Sequence, residues 1–254
     1  MTPSRRDFLK IAGISALSLT LHPAVCLAAG VKAGGTPALP PLKAQRWAMA
    51  VKIQKCKARC RDCITACHRE HNVPDFDNPK DRIQWIGAAP MARVFPGEVH
   101  PRLPAATENI NVPVFCNHCD NPPCVRVCPT KATFKRADGI TMMDYHRCIG
   151  CRFCLAACPY GSRSMNYRDP RPFVKKVQPD FPTRTAGVVE KCNFCEERLS
   201  RGLLPACVLA CPEKAMSFGD LEDPRSAVRL ALGAGFSLRR RPELGTGPQI
   251  YYLL

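Results

Sequence analysis

The chain opens with a charged stretch, Ser4-Arg5-Arg6-Asp7-Phe8-Leu9-Lys10, then an apolar run from Ile11 to Leu21 and small residues from Ala24 to Gly30. That is the three-part plan of an export signal with a twin arginine in its charged part. Cleavage near Ala29 removes Cys26 with the signal. A Pro/Gly linker covers Val31 to Leu42, after which Trp47 to Ile53 reads as a strand. Two short β-prone runs, Thr130 to Phe134 and Ile140 to Met143, meet through Asp138-Gly139, a hairpin signal. Ala215 to Phe218 is a further strand-like run. The apolar run from Leu230 to Leu238 is too short to cross a bilayer. Little periodicity is found from His68 to Pro113 or from Ser162 to Gly187, and loops of such length usually form covers or docking surfaces.

Composition changes this picture. Among 254 residues there are 17 Cys and 25 Pro but only 2 Trp, 5 Tyr and 11 Phe, so bound metal or disulfides must organise much of the packing. An ordinary Rossmann or barrel enzyme is disfavoured, and a hydrophobic fraction of 46% excludes global disorder. Beyond Cys26 the cysteines form four groups of four: Cys56-Cys60-Cys63-Cys67, Cys116-Cys119-Cys124-Cys128, Cys148-Cys151-Cys154-Cys158 and Cys192-Cys195-Cys207-Cys211. The third is the C-x2-C-x2-C-x3-C-P run of bacterial ferredoxins, in which three thiolates wrap one [4Fe-4S] cluster and the fourth, starting a helix, reaches a second. Pro129, Pro159 and Pro212 follow the last cysteine of their groups, whereas His68 stands there in the first.

An exported chain this rich in cysteine is by default a disulfide scaffold. The twin arginine argues otherwise, because that route carries proteins already folded in the cytoplasm, where thiols stay reduced and a metal cofactor can be inserted. Zinc competes as a structural metal, but only the fourth group approaches zinc-ribbon spacing. No C-x-x-C-H haem motif occurs, and the six scattered His are expected at surface or loop positions rather than as ligands. The formal charge is +16; the signal takes three Lys/Arg and one Asp, leaving +14. Four oxidised clusters at about −2 each would bring this to roughly +6, so much of the basic excess offsets clusters and a nucleic-acid partner is not expected. The basic stretches Arg168-Asp169-Pro170-Arg171-Pro172 and Arg239-Arg240-Arg241 read as solvated faces or a partner site. No nucleophile–base pair, phosphate-binding loop or open metal site stands out, so no catalytic residue is assigned.

The order cluster loop, short helix, hairpin, cluster loop, short helix is a ferredoxin layout. The expected fold is α+β, with two pseudo-repeated bacterial 2[4Fe-4S] ferredoxin-like units and long loop insertions. Residues 1–29 form the signal and 30–46 a linker. The outer unit takes 47–67 plus 188–220, and the inner unit takes 114–161. An insertion at 68–113, a loop at 162–187 and a C-terminal extension at 221–254 complete the division. In the inner unit the ferredoxin rule groups Cys116, Cys119 and Cys124 with Cys158, and Cys148, Cys151 and Cys154 with Cys128.

The stretches Phe115 to Cys124, Tyr145 to Cys154, Pro159-Tyr160-Gly161-Ser162-Arg163 and Lys191 to Arg198 resemble the four-cluster electron-transfer subunits of membrane oxidoreductases of the dimethyl-sulfoxide, polysulfide and formate-dependent nitrite reductase types. Within that family, Asp169 to Pro172 and the ending Leu244 to Tyr252 resemble the subunits of the dissimilatory-sulfite-reductase-associated membrane complex. The resemblance implies four [4Fe-4S] clusters and extends the crossed pairing to Cys56, Cys60 and Cys63 with Cys211, and Cys192, Cys195 and Cys207 with Cys67. Cys56-x3-Cys60 departs from the family pattern, which has two intervening residues there. The resemblance further implies electron transfer between a quinone-reacting integral-membrane subunit and a periplasmic multihaem cytochrome c or other redox partner, in sulfur-compound respiration or oxidation. The iron-sulfur subunit of a molybdopterin reductase is the alternative. Replacing Arg5 and Arg6 together with Lys is expected to leave cofactor-loaded precursor in the cytoplasm; equal periplasmic yield on immunoblots of fractionated cells would contradict the export reading.

Overall fold

The computed structural model describes residues 39–57, 59–98 and 110–254. The export signal and most of the linker lie outside the described residues. Strand β1 (Trp47–Lys52) is buried from Trp47 to Val51 and sits inside a four-stranded sheet of order β8-β1-β10-β9. Its neighbours are β8 (Met216–Asp220), antiparallel, and β10 (Ile250–Leu253), parallel, with β9 (Ser237–Leu238) at the edge. A strand buried on both faces needs an unbroken apolar run, and Trp47-Ala48-Met49-Ala50-Val51 supplies it. Trp47, Met49 and Val51 enter the main core, while the small Ala48 and Ala50 let helix α7 (Ala227–Gly233) seat Val228 and Ala231 on the opposite face. Ser226 caps α7, its hydroxyl accepting from the Arg229 N–H.

Among the described residues, three two-stranded sheets complete the strands. β2 (Ile86–Pro90) pairs with β3 (Asn111–Phe115), β4 (Thr133–Lys135) with β5 (Thr141–Met143), and β6 (Ser164–Met165) with β7 (Val189–Glu190), all antiparallel. The β4–β5 hairpin turns where Asp138-Gly139 predicts it: Gly139 takes φ +86°, and the Asp138 carboxylate accepts from the Ile140 N–H.

Helices are short: α1 (Asp62–Glu70), α2 (Met91–Val94), α3 (Pro123–Arg126), α4 (Phe153–Ala157), α5 (Glu196–Leu199) and α6 (Ala206–Leu209). They correct one expectation. The fourth cysteine of each group does not start a helix. The helix carries the third cysteine, as Cys63, Cys124, Cys154 and Cys207, and brings the fourth to or just past its far end, except that α1 also contains Cys67. The exception follows from sequence. A proline disfavours helical geometry in the residue before it, which stops α3, α4 and α6 near their last cysteines, whereas His68 lets α1 run on to Glu70.

The described parts of the long segments of low periodicity are packed. Arg184 and Glu190 form a fully buried ion pair, Nη2 to Oε2 at 2.6 Å. Glu190 also accepts from Trp85 Nε1 at 2.8 Å and from Asn166 Nδ2, and Arg184 donates to the carbonyls of His71 and Asn72. His71 stacks on Trp85, ring centroids 4.3 Å apart. Of the basic stretches, Arg168 stacks between Phe76 and Phe173 and pairs with Asp81, Arg240 lies over Tyr160 and Arg239 over Tyr251. Among the described residues, no helix is long and apolar enough to cross a membrane. Removing one partner of a buried ion pair strands the other, so Glu190→Ala is expected to destabilise the protein by about 3 kcal/mol. An anaerobic denaturation series that moves by less than about 1 kcal/mol would contradict the role assigned to this pair.

Candidate electron-transfer centre

The cysteine loops share a backbone design that explains their spacing. In the second, third and fourth groups the residue before the second cysteine is left-handed: His118 at φ +42°, Gly150 at φ +67° and Phe194 at φ +58°. Three residues after the last cysteine the geometry recurs, at Lys131, Gly161 and Lys214, whose N–H groups bond back to the carbonyls of Cys128, Cys158 and Cys211. The turns after the second and fourth groups also direct N–H groups at sulfur, Thr133 to Cys128 Sγ at 3.4 Å and Ala215 to Cys211 Sγ at 3.3 Å. At Gly150 only glycine fits, because a Cβ would collide with the Gly187 carbonyl oxygen.

The sulfurs meet across groups. Cys56, Cys60, Cys63 and Cys211 line one cavity, Cys116, Cys119, Cys124 and Cys158 a second, and Cys128, Cys148, Cys151 and Cys154 a third. Cys67 faces Cys192, Cys195 and Cys207 in the fully buried interior. Each place thus receives three sulfurs from one group and one from another, which a zinc site built from a single group does not do. All sixteen are free thiols.

Burial pushes the Cys56 thiol up to about 11, with Cys211 and Cys60 adding to it, and Cys63, Cys119 and Cys192 up to about 12. Cys67, Cys195 and Cys207 are also raised well above the ordinary thiol value, by burial first and then by their sulfur neighbours. Four thiolates cannot share such a site unless positive charge lies between them. Free thiols, convergent in fours, with N–H donors aimed at sulfur, fit a [4Fe-4S] core that supplies that charge.

Electrostatic proximity between quartets sets an order. Cys63 faces Cys207, which joins the first site to the all-buried one. Cys192 faces Cys116, which joins that to the Cys116-Cys119-Cys124-Cys158 site. Arg163 lies within reach of both the Cys124 and the Cys154 sulfurs, which joins the last two. Beside the all-buried quartet, His71 Nδ1 donates to the Cys67 carbonyl at 2.7 Å and its Nε2 lies 2.9 Å from Glu197. His71, Cys195 and Glu197 could hold a metal by distance, but they share Cys195 with the sulfur quartet. His71 and His118 lie in loop segments, as expected, but are almost fully buried rather than at the surface; burial lowers the His118 ring well below its ordinary value. The C-terminal stretch braces the second group: the Asp120 and Asn121 N–H groups bond to the carbonyls of Gly247 and Thr246, and Tyr160 Oη meets Thr246 Oγ1.

Comparison with known proteins decides the family. A 4Fe-4S dicluster domain matches residues 107–179 and 172–221. The Hdr-like menaquinol oxidoreductase iron-sulfur subunit 1 of Archaeoglobus fulgidus is 39% identical, over 98% of this chain and 97% of its own. The chain therefore belongs to the iron-sulfur subunits built on the 4Fe-4S dicluster domain. Other relatives are a tetrathionate reductase subunit of Salmonella typhimurium, 34% identical over 100% of this chain and 89% of its own, and a polysulfide reductase chain of Wolinella succinogenes, 38% identical over 76% and 86%. These iron-sulfur subunits serve oxidoreductase complexes as electron carriers, the catalytic part lying in their partners. The sequence alone assigns no role to Arg163 and Lys191, although both stand within the family-like motifs; their meaning depends on which sulfurs they face. Gly150→Ala is expected to cost about 1 kcal/mol or more of local strain. It should lower bound iron by about one cluster's four atoms per chain, and unchanged iron would contradict the loop geometry.

Proposed function

We propose that this protein is a periplasmic electron-transfer subunit carrying four [4Fe-4S] clusters, one in each sulfur quartet. Cys56, Cys60 and Cys63 hold the first with Cys211, and Cys192, Cys195 and Cys207 the second with Cys67. Cys116, Cys119 and Cys124 hold the third with Cys158, and Cys148, Cys151 and Cys154 the fourth with Cys128. The observation that carries this reading is the gathering of sixteen unbridged thiols into four crossed quartets.

The same placement supports two pseudo-repeated ferredoxin-like units. Strands β4 and β5 lie between the second and third cysteine groups, and the paired strands β8 and β1 follow the fourth and precede the first. The quartets then form a row with a buried middle and accessible ends. Cys60 is exposed at the first end, and Ile149 and Phe153, 66% and 58% exposed, lie within the Cys148-to-Cys154 stretch at the other. Electrons enter one at a time at one end and leave at the other, passing through the all-buried quartet of Cys67, Cys192, Cys195 and Cys207.

The partners proposed are a quinone-reacting integral-membrane subunit and a periplasmic multihaem cytochrome c, in sulfur-compound respiration or oxidation. The menaquinol oxidoreductase relative supports the first of these, and Asp169 to Pro172 with the ending Leu244 to Tyr252 supports the dissimilatory-sulfite-reductase-associated type. The twin-arginine segment supports export, with attachment to the membrane through the partner subunit. A second reading, the iron-sulfur subunit of a molybdopterin reductase, is favoured by the tetrathionate and polysulfide reductase relatives. The gene neighbours separate the two readings, a multihaem cytochrome and quinone-reacting subunit against a large molybdopterin enzyme.

The anaerobically purified protein should contain about sixteen iron and sixteen acid-labile sulfide per chain. In electron paramagnetic resonance of the reduced protein, Cys158→Ser should perturb the signal that Cys119→Ser perturbs and spare the one changed by Cys151→Ser. A Cys158→Ser spectrum matching Cys151→Ser would overturn the crossed assignment.

A further inference from the structure

The protein buries two cations between its inner quartets. Arg163 is 7% exposed and lines the cavity of Cys116, Cys119, Cys124 and Cys158. Its Nη1 donates to Thr133 Oγ1 at 3.1 Å and lies 3.8 Å from Met143 Sδ, and both Thr133 and Met143 line the neighbouring cavity of Cys128, Cys148, Cys151 and Cys154. Nη2 is buried without a directed hydrogen-bond partner, and no carboxylate pairs with this guanidinium among the described residues. What the guanidinium faces instead is sulfur, from Cys124 in one quartet and Cys154 in the next.

Lys191 occupies the corresponding place on the other side. It is 1% exposed, and its Nζ donates to the Thr141 and Cys192 carbonyls. Thr141 lines the Cys116 cavity, and Cys192 belongs to the all-buried quartet. Lys191 faces the Cys116, Cys192 and Cys124 sulfurs, so it too stands between two quartets. The Cys116-Cys119-Cys124-Cys158 site is therefore the one flanked by both buried cations. The all-buried site sees Lys191 but also the Glu197 carboxylate, which faces Cys192 and Cys195. The Cys128-Cys148-Cys151-Cys154 site sees Arg163. At the first site Lys57 is exposed and paired with Glu213.

We infer that Arg163 and Lys191 are positioning residues that shape the potential profile of the row, making the cluster of Cys116, Cys119, Cys124 and Cys158 the most readily reduced of the four. The inference rests on the four-cluster reading. Reduction adds one negative charge to a cluster, and a fixed buried cation beside it stabilises the reduced form far more than an exposed cation screened by water does. A cation shared by two clusters raises both potentials and softens the repulsion between two reduced neighbours, so an electron can rest in the inner part of the row and leave in either direction.

The test is a potentiometric titration of the purified holoprotein followed by electron paramagnetic resonance, on the unaltered protein and on Arg163→Met and Lys191→Met. Each variant should lower the midpoint potential of two clusters by 59 mV or more, a tenfold change in reduced-to-oxidised ratio for a one-electron couple. One cluster should shift in both variants, and it should be the highest-potential cluster of the unaltered protein. A shift confined to one cluster, no cluster common to both variants, or a common cluster that is not the highest would each overturn the proposal. Should Arg163→Met not assemble, Lys191→Met decides alone: it must lower the highest-potential cluster and one other. Iron and sulfide contents keep the two failures apart, since fewer than four clusters in the unaltered protein sinks the four-cluster reading, whereas four clusters with unmoved potentials sinks only this one.

Discussion

Four thiols brought together in a protein interior repel one another as soon as they ionise, and this constraint governs the whole chain. Burial already pushes Cys56, Cys63, Cys67, Cys119, Cys192, Cys195 and Cys207 well above the ordinary thiol value, and neighbouring sulfurs add to it. The arrangement is sensible only with a cationic inorganic core at its centre. Short helices, left-handed turns and the glycine at position 150 place the sulfurs. The rest of the molecule shields and balances them. On the four-cluster reading, sixteen thiolates and four cores leave net negative charge, which accounts for the large basic excess and for the two cations buried among the sulfurs.

The segments between cysteine groups serve the same end by a different interaction. Arg184, drawn from the long loop, and Glu190, from the strand before the fourth group, neutralise each other and use their remaining capacity on Trp85, Asn166 and the His71 and Asn72 carbonyls. One buried pair thus ties the loop to the region after the first group. His71, held by the same network, sits against both the Cys67 carbonyl and Glu197. Cover and sulfur site are one structure, and weakening the cover would open the quartets to water.

Much of this is legible in the sequence because cysteine spacing and turn chemistry are local. Four groups of four, the hairpin through Asp138-Gly139 and the strands at Trp47 and Ala215 all follow from neighbours in sequence. What escapes depends on residues far apart. β10 joins the central strand in parallel, a pairing across some two hundred residues that no local pattern announces. His71 and His118 are polar residues whose burial is decided by aromatic partners, Trp85 and Phe194, from other segments. The place of the fourth cysteine differs from expectation for a local reason: α3, α4 and α6 are so short that they end at or before it, and only α1, with His68 instead of proline, runs past it. Arg163 and Lys191 read as ordinary motif residues until the sulfurs they face are known.

The central claim is that four iron-sulfur clusters stand in a row, each held by three cysteines of one group and one of another. Its most direct measurement is an anomalous-difference map at the iron edge from crystals of the anaerobically purified protein. Four compact groups of four iron peaks are expected, with the Cys158 sulfur beside the group bound by Cys116, Cys119 and Cys124, and the Cys67 sulfur beside the one bound by Cys192, Cys195 and Cys207. Single metal peaks, disulfide density between the cysteines, or four sulfurs of one sequence group around one metal centre would contradict it.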